Sequence, residues 1–153
     1  MTKLKRIRTE MGLTQRDVSQ RSGISQTRIC TLENNERMMD GSSTYTICCI
    51  ANALNVKMWE IIDNEKFATI LKEVSKYPKD TEYGRGDSHL LSLRMKRRIS
   101  QAHLAKALGV AQSAISRWEN DGIYSMRLSL LCELCVIMYC HPCDIIDGLR
   151  EVL

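Results

Sequence analysis

Residues 13–34 read LTQRDVSQRSGISQTRICTLEN, and residues 99–120 read ISQAHLAKALGVAQSAISRWEN. Both stretches place a polar residue before one helical period, then a glycine, then a second helical period that begins with glutamine. Identical residues recur at one fixed spacing in these stretches and their flanks: Leu4/Leu90, Arg8/Arg94, Gln15/Gln101, Gly23/Gly109, Gln26/Gln112, Ile29/Ile115, Glu33/Glu119 and Asn34/Asn120. Such a repeat indicates a duplicated structural unit, and the order within the unit predicts a helix-turn-helix.

Apolar periodicity and capping residues predict five helices in each repeat. In the first repeat, Gly12 closes the first helix, Thr14 caps the second and Ser25 caps the third. The expected helices of the first repeat span residues 4–11, 15–22, 26–34, about 44–54 and about 58–63. Those of the second repeat span residues 90–97, 101–108, 112–120, about 126–139 and 142–149. The sequence therefore favours an all-α fold of two tandem domains.

The predicted domain organisation has two helical units and a connector. The first domain, the connector and the second domain are expected at residues 1–63, 64–87 and 88–153. Residues 64–76 read as an amphipathic helix with one apolar face, formed by Phe67, Ile70, Leu71 and Val74. Residues 77–87 contain Pro78, Gly84 and Gly86, which favour a flexible joint. Each helical domain is small enough that packing against a neighbour matters for its stability.

Composition is that of a globular protein. The 153 residues are 44% hydrophobic and 26% charged, which is ordinary for a folded domain. No run of about 18 apolar residues occurs, so a membrane span is not expected. The basic N-terminus is not followed by an apolar stretch, so a signal peptide is not expected either. We therefore expect a cytoplasmic protein without a membrane partner.

Positive charge is concentrated on the two repeats. Residues 1–31 carry seven basic and two acidic side chains, and residues 94–117 carry six basic side chains and no acidic one. Residues 64–87 carry five of each sign. A basic cluster is usually a solvated surface, but its coincidence with both motifs favours contact with phosphates. Double-stranded DNA is therefore the expected partner.

Both repeats resemble the lambda-repressor-like helix-turn-helix domain of the Xre family. The motifs that carry the resemblance are TQ…GISQ…I..LEN in the first repeat and SQ..LA..LGV.QS.IS.WEN in the second. The resemblance covers residues 4–63 and 90–147. It implies a five-helix DNA-binding fold of the kind found in phage repressors and bacterial regulators. It also implies a bacterial or phage-encoded protein associated with the nucleoid.

The start of each third helix carries the predicted base contacts, because a helix in the major groove reads bases with side chains near its N-terminus. Gln26 and Gln112 open these helices, and a glutamine amide can form two hydrogen bonds to an adenine edge. Arg117 is the best candidate for a guanine contact. Gln15 and Gln101 begin the preceding helices, where the resemblance implies a phosphate contact. The other predicted contacts are Thr27, Arg28, Thr31 and Ser113.

Other motif residues favour a structural role. Glu33 and Glu119 are expected to form salt bridges inside their domains, and Trp118 is expected in the core. Arg98 stands where Gly12 closes the first helix of the first repeat. The residues predicted to contact bases differ between the repeats, so we expect the two domains to prefer different half-sites.

The four cysteines of CELCVIMYCHPC, residues 132–143, have a spacing that suggests zinc or an iron–sulfur cluster. The duplication argues against a metal, because Cys135 and Cys140 replace Ala51 and Val56 of the first repeat, which are expected in the core. A buried cysteine behaves as a small hydrophobic residue. We therefore expect reduced thiols, no metal and no cofactor.

These observations favour a sequence-specific transcriptional regulator that binds double-stranded DNA, of the repressor type found in phages and mobile elements. The alternative is a protein-interaction adaptor, antirepressor-like or antitoxin-like, that uses the fold without strong DNA binding. An enzyme is disfavoured, since His89, His103 and His141 are scattered and no catalytic residue stands out. No small-molecule ligand is evident. A homodimer stays open, because the connector helix and the fourth and fifth helices could expose an interface.

Overall fold

The helices begin and end close to the predicted positions in the computed structural model, which describes residues 1–78, 89–121 and 126–145. The first repeat contains α1 (Lys3–Glu10), α2 (Gln15–Ser22), α3 (Gln26–Asn34) and α4 (Thr44–Leu54), with 3-10 turns at Glu36–Met38 and Met58–Glu60. The connector contributes α5 (Glu65–Val74). The second repeat contains α6 (His89–Lys96), α7 (Gln101–Leu108), α8 (Gln112–Asp121), α9 (Leu128–Met138) and a 3-10 turn at Pro142–Asp144. The prediction of an all-α fold with two tandem helical domains is confirmed.

Local side-chain and glycine chemistry sets the helix-turn-helix boundaries. The Thr14 hydroxyl accepts a hydrogen bond from Asp17 N at 3.1 Å, and the Asp17 carboxylate accepts one from Thr14 N at 2.7 Å. This capping box satisfies two backbone donors at the start of α2. Gly23 and Gly109 follow α2 and α7 in the left-handed conformation, with φ of +72° and +67°. The turns of the two repeats therefore share one backbone conformation.

Each repeat buries one face of its helices in a core. The fully or nearly fully buried side chains of the first repeat include Leu4, Val18, Ile29, Leu32, Ile47, Ile50 and Leu54, and those of the second include Leu90, Leu104, Ile115, Trp118, Leu131, Leu134 and Met138. The expected core position of Trp118 is thus confirmed. The same helix contacts recur: α3 packs against α1 and α2, and α8 packs against α6 and α7. The third helix of each repeat is therefore held from one side.

The last helix of the first repeat is shorter than predicted. A helix was expected at about 58–63, but the chain forms one 3-10 turn at Met58–Glu60. Ile61 and Ile62 are both fully buried. The Ile61 N–H donates to the Met58 carbonyl oxygen at 3.3 Å, which is the i to i+3 bond of a 3-10 turn. Of the helix predicted at 142–149, residues after 145 lie outside the described part of the chain. None of the described helices is long and apolar enough to cross a membrane.

α5 packs against the second repeat. Leu71 and Val74 are buried, and Phe67 and Ile70 are half-buried against the core. The helix contacts α9 and the Met58–Glu60 turn, and Cys132 Sγ lies 3.9 Å from the Phe67 carbonyl oxygen. Apart from residues 77 and 78, the predicted flexible joint lies outside the described residues.

An antiparallel β-bridge joins the segments that precede α4 and α9, and it pairs Ser43 with Arg127. Thr44 N donates to the Met126 carbonyl oxygen at 2.7 Å, and Leu128 N donates to the Ser42 carbonyl oxygen at 3.1 Å. The Thr44 hydroxyl donates to the same Met126 oxygen at 2.9 Å. The two repeats are therefore fixed to each other through their backbones.

Candidate nucleic-acid interface

The N-terminal ends of α3 and α8 are exposed, while their opposite faces are anchored in the core. Ile29 and Ile115, in the first turn of each helix, are fully buried. A side chain on a helix fixed in this way is positioned more accurately than one on a loop. Four of the predicted base contacts are exposed on these ends: Gln26, Thr27, Gln112 and Ser113.

Arg28 has a partner within the protein that the sequence did not predict. Its side chain is half-buried, and Nη2 donates to the Ser42 hydroxyl at 2.7 Å. That hydroxyl donates in turn to the Met38 carbonyl oxygen at 2.6 Å, and Ser42 is 1% exposed. Arg28 therefore links α3 to the segment before α4. The equivalent residue of the second repeat, Ala114, has no polar group with which to do so.

The second turns of α3 and α8 offer different chemistry. Thr31 is half-buried, and its hydroxyl donates to the Thr27 carbonyl oxygen at 2.9 Å. This leaves the hydroxyl oxygen and the methyl group of Thr31 for other contacts. Arg117 occupies the equivalent position of α8 and is exposed. The second repeat therefore presents a guanidinium where the first presents a small side chain.

A buried ion pair supports the first motif from inside. The Arg8 guanidinium binds both carboxylate oxygens of Glu33, with Nη2 2.9 Å from Oε2, and Arg8 Nη1 donates to the Leu13 carbonyl oxygen at 2.7 Å. Gln15 Nε2 donates to the same carboxylate at 2.8 Å. The cluster ties α1, the start of α2 and the end of α3 together. The expected salt bridge of Glu33 is confirmed.

The second repeat contains the same cluster. Arg94 binds both oxygens of Glu119, with Nη2 3.2 Å from Oε2, and Nη1 donates to the Ile99 carbonyl oxygen at 2.7 Å. Gln101 Nε2 donates to Glu119 at 2.7 Å. The expected salt bridge of Glu119 is confirmed as well. One N–H of each glutamine amide is used here, so the predicted phosphate contact of Gln15 and Gln101 depends on the other N–H.

The charges of the first cluster stabilise each other. Burial raises the pKa of Glu33, but hydrogen bonds from Arg8 and Gln15 lower it more, so that pKa lies below its ordinary value. The hydrogen bond to Glu33 raises the pKa of Arg8. Glu33 is therefore an ionised, buried acceptor that fixes the Gln15 amide at the N-terminus of α2.

Sequence reasoning missed two residues of the same surface. A cleft beside the N-terminus of α2 is lined by four predicted DNA contacts together with Cys30 and Asn34. Asn34 Nδ2 lies 3.3 Å from Cys30 Sγ, one helical turn back. In the second repeat Asn120 Nδ2 lies 3.4 Å from Ser116 Oγ in the same arrangement. The i, i+4 spacing of residues 26, 30 and 34 is the signal that could have found them.

The C-terminal cysteines are core residues. Cys132, Cys135 and Cys140 are at most 1% exposed. Burial raises the pKa of Cys132 to about 12. The pKa of Cys135 lies well above its ordinary value, mainly because of burial and secondly because of the hydrogen bond to Cys140. Within the described ranges no group of three or more His, Cys, Asp or Glu side chains could hold a metal ion.

The duplication predicted these cysteine positions with one difference. Ala51, the counterpart of Cys135, is fully buried, whereas Val56, the counterpart of Cys140, is only half-buried against the core. Cys143 was included in the same motif, but its side chain lies outside the described part of the structure.

Comparison with known protein families gives two matches, one in each repeat. Residues 4–42 match the helix-turn-helix family, and residues 89–147 match the Cro/C1-type HTH DNA-binding domain. No curated protein and no solved structure matches the chain. The two matched segments contain α1–α3 and α6–α9, the elements described above.

Proposed function

We infer that the chain contains two tandem helix-turn-helix DNA-binding domains with the lambda-repressor-like fold, because residues 89–147 match the Cro/C1-type HTH DNA-binding domain and residues 4–42 match the helix-turn-helix family. This is the architecture of a DNA-binding regulator. From this premise we propose that the chain is a sequence-specific transcriptional regulator of the repressor type found in phages and mobile elements. It binds double-stranded DNA with α3 and α8 in the major groove. Lysine and arginine side chains of both repeats supply the affinity for phosphates, and the exposed ends of α3 and α8 supply the selectivity.

The observation that carries the proposal is that the N-termini of α3 and α8, the second helix of each helix-turn-helix, are both exposed. Gln26 and Gln112 are exposed at the first position of α3 and α8, and each is followed by an exposed hydroxyl residue. Behind them, the Arg–Glu–Gln cluster repeats with the same partners. An amide and a hydroxyl on a rigid helix end can hydrogen-bond base edges in the major groove.

A salt titration tests the electrostatic part of this proposal. Binding of the full chain to a random-sequence duplex is measured by fluorescence anisotropy over a range of salt concentrations. The logarithm of the binding constant should fall linearly with the logarithm of salt concentration, by roughly 0.9 for each neutralised phosphate. A slope near zero contradicts the proposal and favours the adaptor, which needs no phosphate contacts.

Two charge variants sharpen the titration. Arg16 is exposed in the first turn of α2, beside the predicted phosphate contact of Gln15, so Arg16→Ala should reduce the slope by about one. Lys72 is exposed on α5, which belongs to neither helix-turn-helix motif, so Lys72→Ala should leave the slope unchanged. Equal effects of the two variants would show that net charge alone, rather than a defined face, causes binding.

A further inference from the structure

The bridge between the repeats joins residues that occupy equivalent positions. Ser43 and Arg127 are the N-cap residues of α4 and α9. Both helices have 11 residues, and both end at a residue in the left-handed conformation, Asn55 or Tyr139. Ser43 thus corresponds to Arg127, and the antiparallel bridge pairs each of them with its own counterpart.

The hydrogen bonds of the bridge are reciprocal. The N–H of Thr44, the first residue of α4, donates to the carbonyl of Met126, the residue before the cap of α9. The N–H of Leu128, the first residue of α9, donates to the carbonyl of Ser42, the residue before the cap of α4. Equivalent groups that exchange the same bond are produced by a two-fold axis, as in an isologous dimer interface.

This contact is part of the core. Thr44 and Leu128 are fully buried, and Ser42 and Met126 are 1% exposed. The packing of α5 along α9, with Leu71 buried, adds a second region of contact. α3 packs against α1 and α2 as α8 packs against α6 and α7, so the symmetry of the bridge supports the inference, drawn below, that one two-fold axis relates α3 and α8.

The bridge is directly linked to one of these helices. Arg28 of α3 donates to the Ser42 hydroxyl at 2.7 Å, while the Ser42 carbonyl accepts from Leu128 of the other repeat at 3.1 Å. One residue therefore contacts α3 through its side chain and the second repeat through its backbone. The orientation of α3 is thereby coupled to the position of the second domain.

We propose that a single chain acts as an internal pseudo-dimer and reads a bipartite, non-palindromic DNA site. Two-fold related helix-turn-helix units contact half-sites about one helical turn apart, so α3 and α8 of one chain occupy successive major grooves. The half-sites differ because the two helices differ: α3 carries Thr31 where α8 carries Arg117. The stoichiometry is one chain per site. This inference rests on the proposed function.

The test begins with duplexes selected by the full chain from a random pool. For the selected duplex we expect one chain bound, two unlike half-sites, and affinity at least about 100-fold above that for a duplex with one half-site scrambled. Inserting about 5 bp, half a turn, between the half-sites should reduce affinity to that of one half-site. A palindromic site bound by two chains, or affinity insensitive to the insertion, would overturn the inference while leaving DNA binding intact. Failure to enrich any sequence would overturn the proposed function as well.

A proline variant tests the bridge itself. Proline is tolerated at the first position of a helix, and Ser43 has the extended backbone, φ −64° and ψ 142°, that precedes proline. Thr44→Pro removes the N–H that binds Met126 and places the ring against that oxygen. We expect the Thr44→Pro variant to bind each half-site alone with the parent's affinity. It should lose most of the parent's preference for the selected duplex over the duplex with inserted base pairs. Thr44→Val, which keeps the N–H, should retain that preference. The insertion experiment uses the parent chain, so the inference stays testable even if the proline variant does not fold.

Discussion

Arg8 in α1 and Glu33 near the end of α3 form a buried ion pair with two hydrogen bonds, in which Arg8 Nη2 lies 2.9 Å from Glu33 Oε2. The pair holds α3 in place against α1. Glu33→Gln leaves the Arg8 charge buried without its counterion, and we expect a loss of about 3 kcal/mol in the free energy of unfolding. Chemical denaturation monitored by circular dichroism measures it.

The matched control for this variant is Glu65→Gln. Glu65 also pairs with a basic residue, Lys3, but its side chain is 77% exposed. Exposed ion pairs contribute little, so Glu65→Gln should leave the midpoint of unfolding unchanged. The account of the buried cluster is wrong if both variants shift the midpoint equally.

The Glu33 ion pair should also give stability a defined pH dependence. The pKa of Glu33 lies below its ordinary value because the hydrogen bonds from Arg8 and Gln15 outweigh burial. A carboxyl group with a lowered folded pKa stabilises the fold above its unfolded pKa, and this stabilisation is lost as pH falls through the folded pKa. The stability difference between the parent and Glu33→Gln should be full at neutral pH and shrink below the ordinary value of 4.5. Denaturation curves across that range check it, and a constant difference would contradict it.

Arg98 is held in a conformation that suits glycine. Its φ is +53°, and the equivalent residue of the first repeat, Gly12, has φ of +68°. A left-handed conformation costs a residue with a Cβ atom roughly 1 kcal/mol, so Arg98→Gly should raise the free energy of unfolding by about that amount. Gly12→Ala should lower it by a similar amount, since an added Cβ meets no atom within 4 Å and the cost is conformational. Thermal unfolding of Arg98→Gly and Gly12→Ala tests both expectations. Stability changes of the same sign in the two variants would contradict a conformational cost at these positions.

The buried thiols should be unreactive in the native protein. Cys132 and Cys135 are fully buried with raised pKa values, whereas Cys30 is half-buried on α3. Since the thiolate is the reactive form, iodoacetamide near neutral pH should modify Cys30 far faster than Cys132 or Cys135. Mass spectrometry of digested protein locates the labels. In denaturant all seven cysteines should react, which serves as the control. Rapid native labelling of Cys132 would show that α9 is not packed as described.

The parts of the structure that follow from local chemistry were predictable. Thr14 and Ser25 cap α2 and α3 at the predicted positions, and Gly23 takes the turn conformation that only a glycine adopts at little cost. Glu33 was placed in a salt bridge because the motif set it apart from the exposed polar residues. Neighbours in the sequence decide the two caps and the turn, whereas the Glu33 ion pair joins Arg8 and Glu33 across 25 positions.

The features that depend on distant segments were not predictable. The Ser43–Arg127 bridge pairs backbone groups far apart in the chain, and no residue preference marks it. The bond from Arg28 to Ser42 depends on where the segment before α4 passes α3. Periodicity predicted a helix at about 58–63, where the chain forms one 3-10 turn before Asn64 caps α5. Tertiary packing, which a periodic pattern does not encode, decided the first two of these cases.

The central claim is that the exposed ends of α3 and α8 read bases, and selection from a random duplex pool tests it most directly. The parent, Gln26→Ala, Arg117→Ala and Gln20→Ala are compared, because Gln20 is exposed on α2 and is not a predicted contact. We predict that Gln26→Ala relaxes the consensus in one half-site and Arg117→Ala in the other, each at a cost of about 1–3 kcal/mol against the preferred base, while Gln20→Ala selects the parental consensus. An unchanged consensus for both Gln26→Ala and Arg117→Ala would contradict the claim.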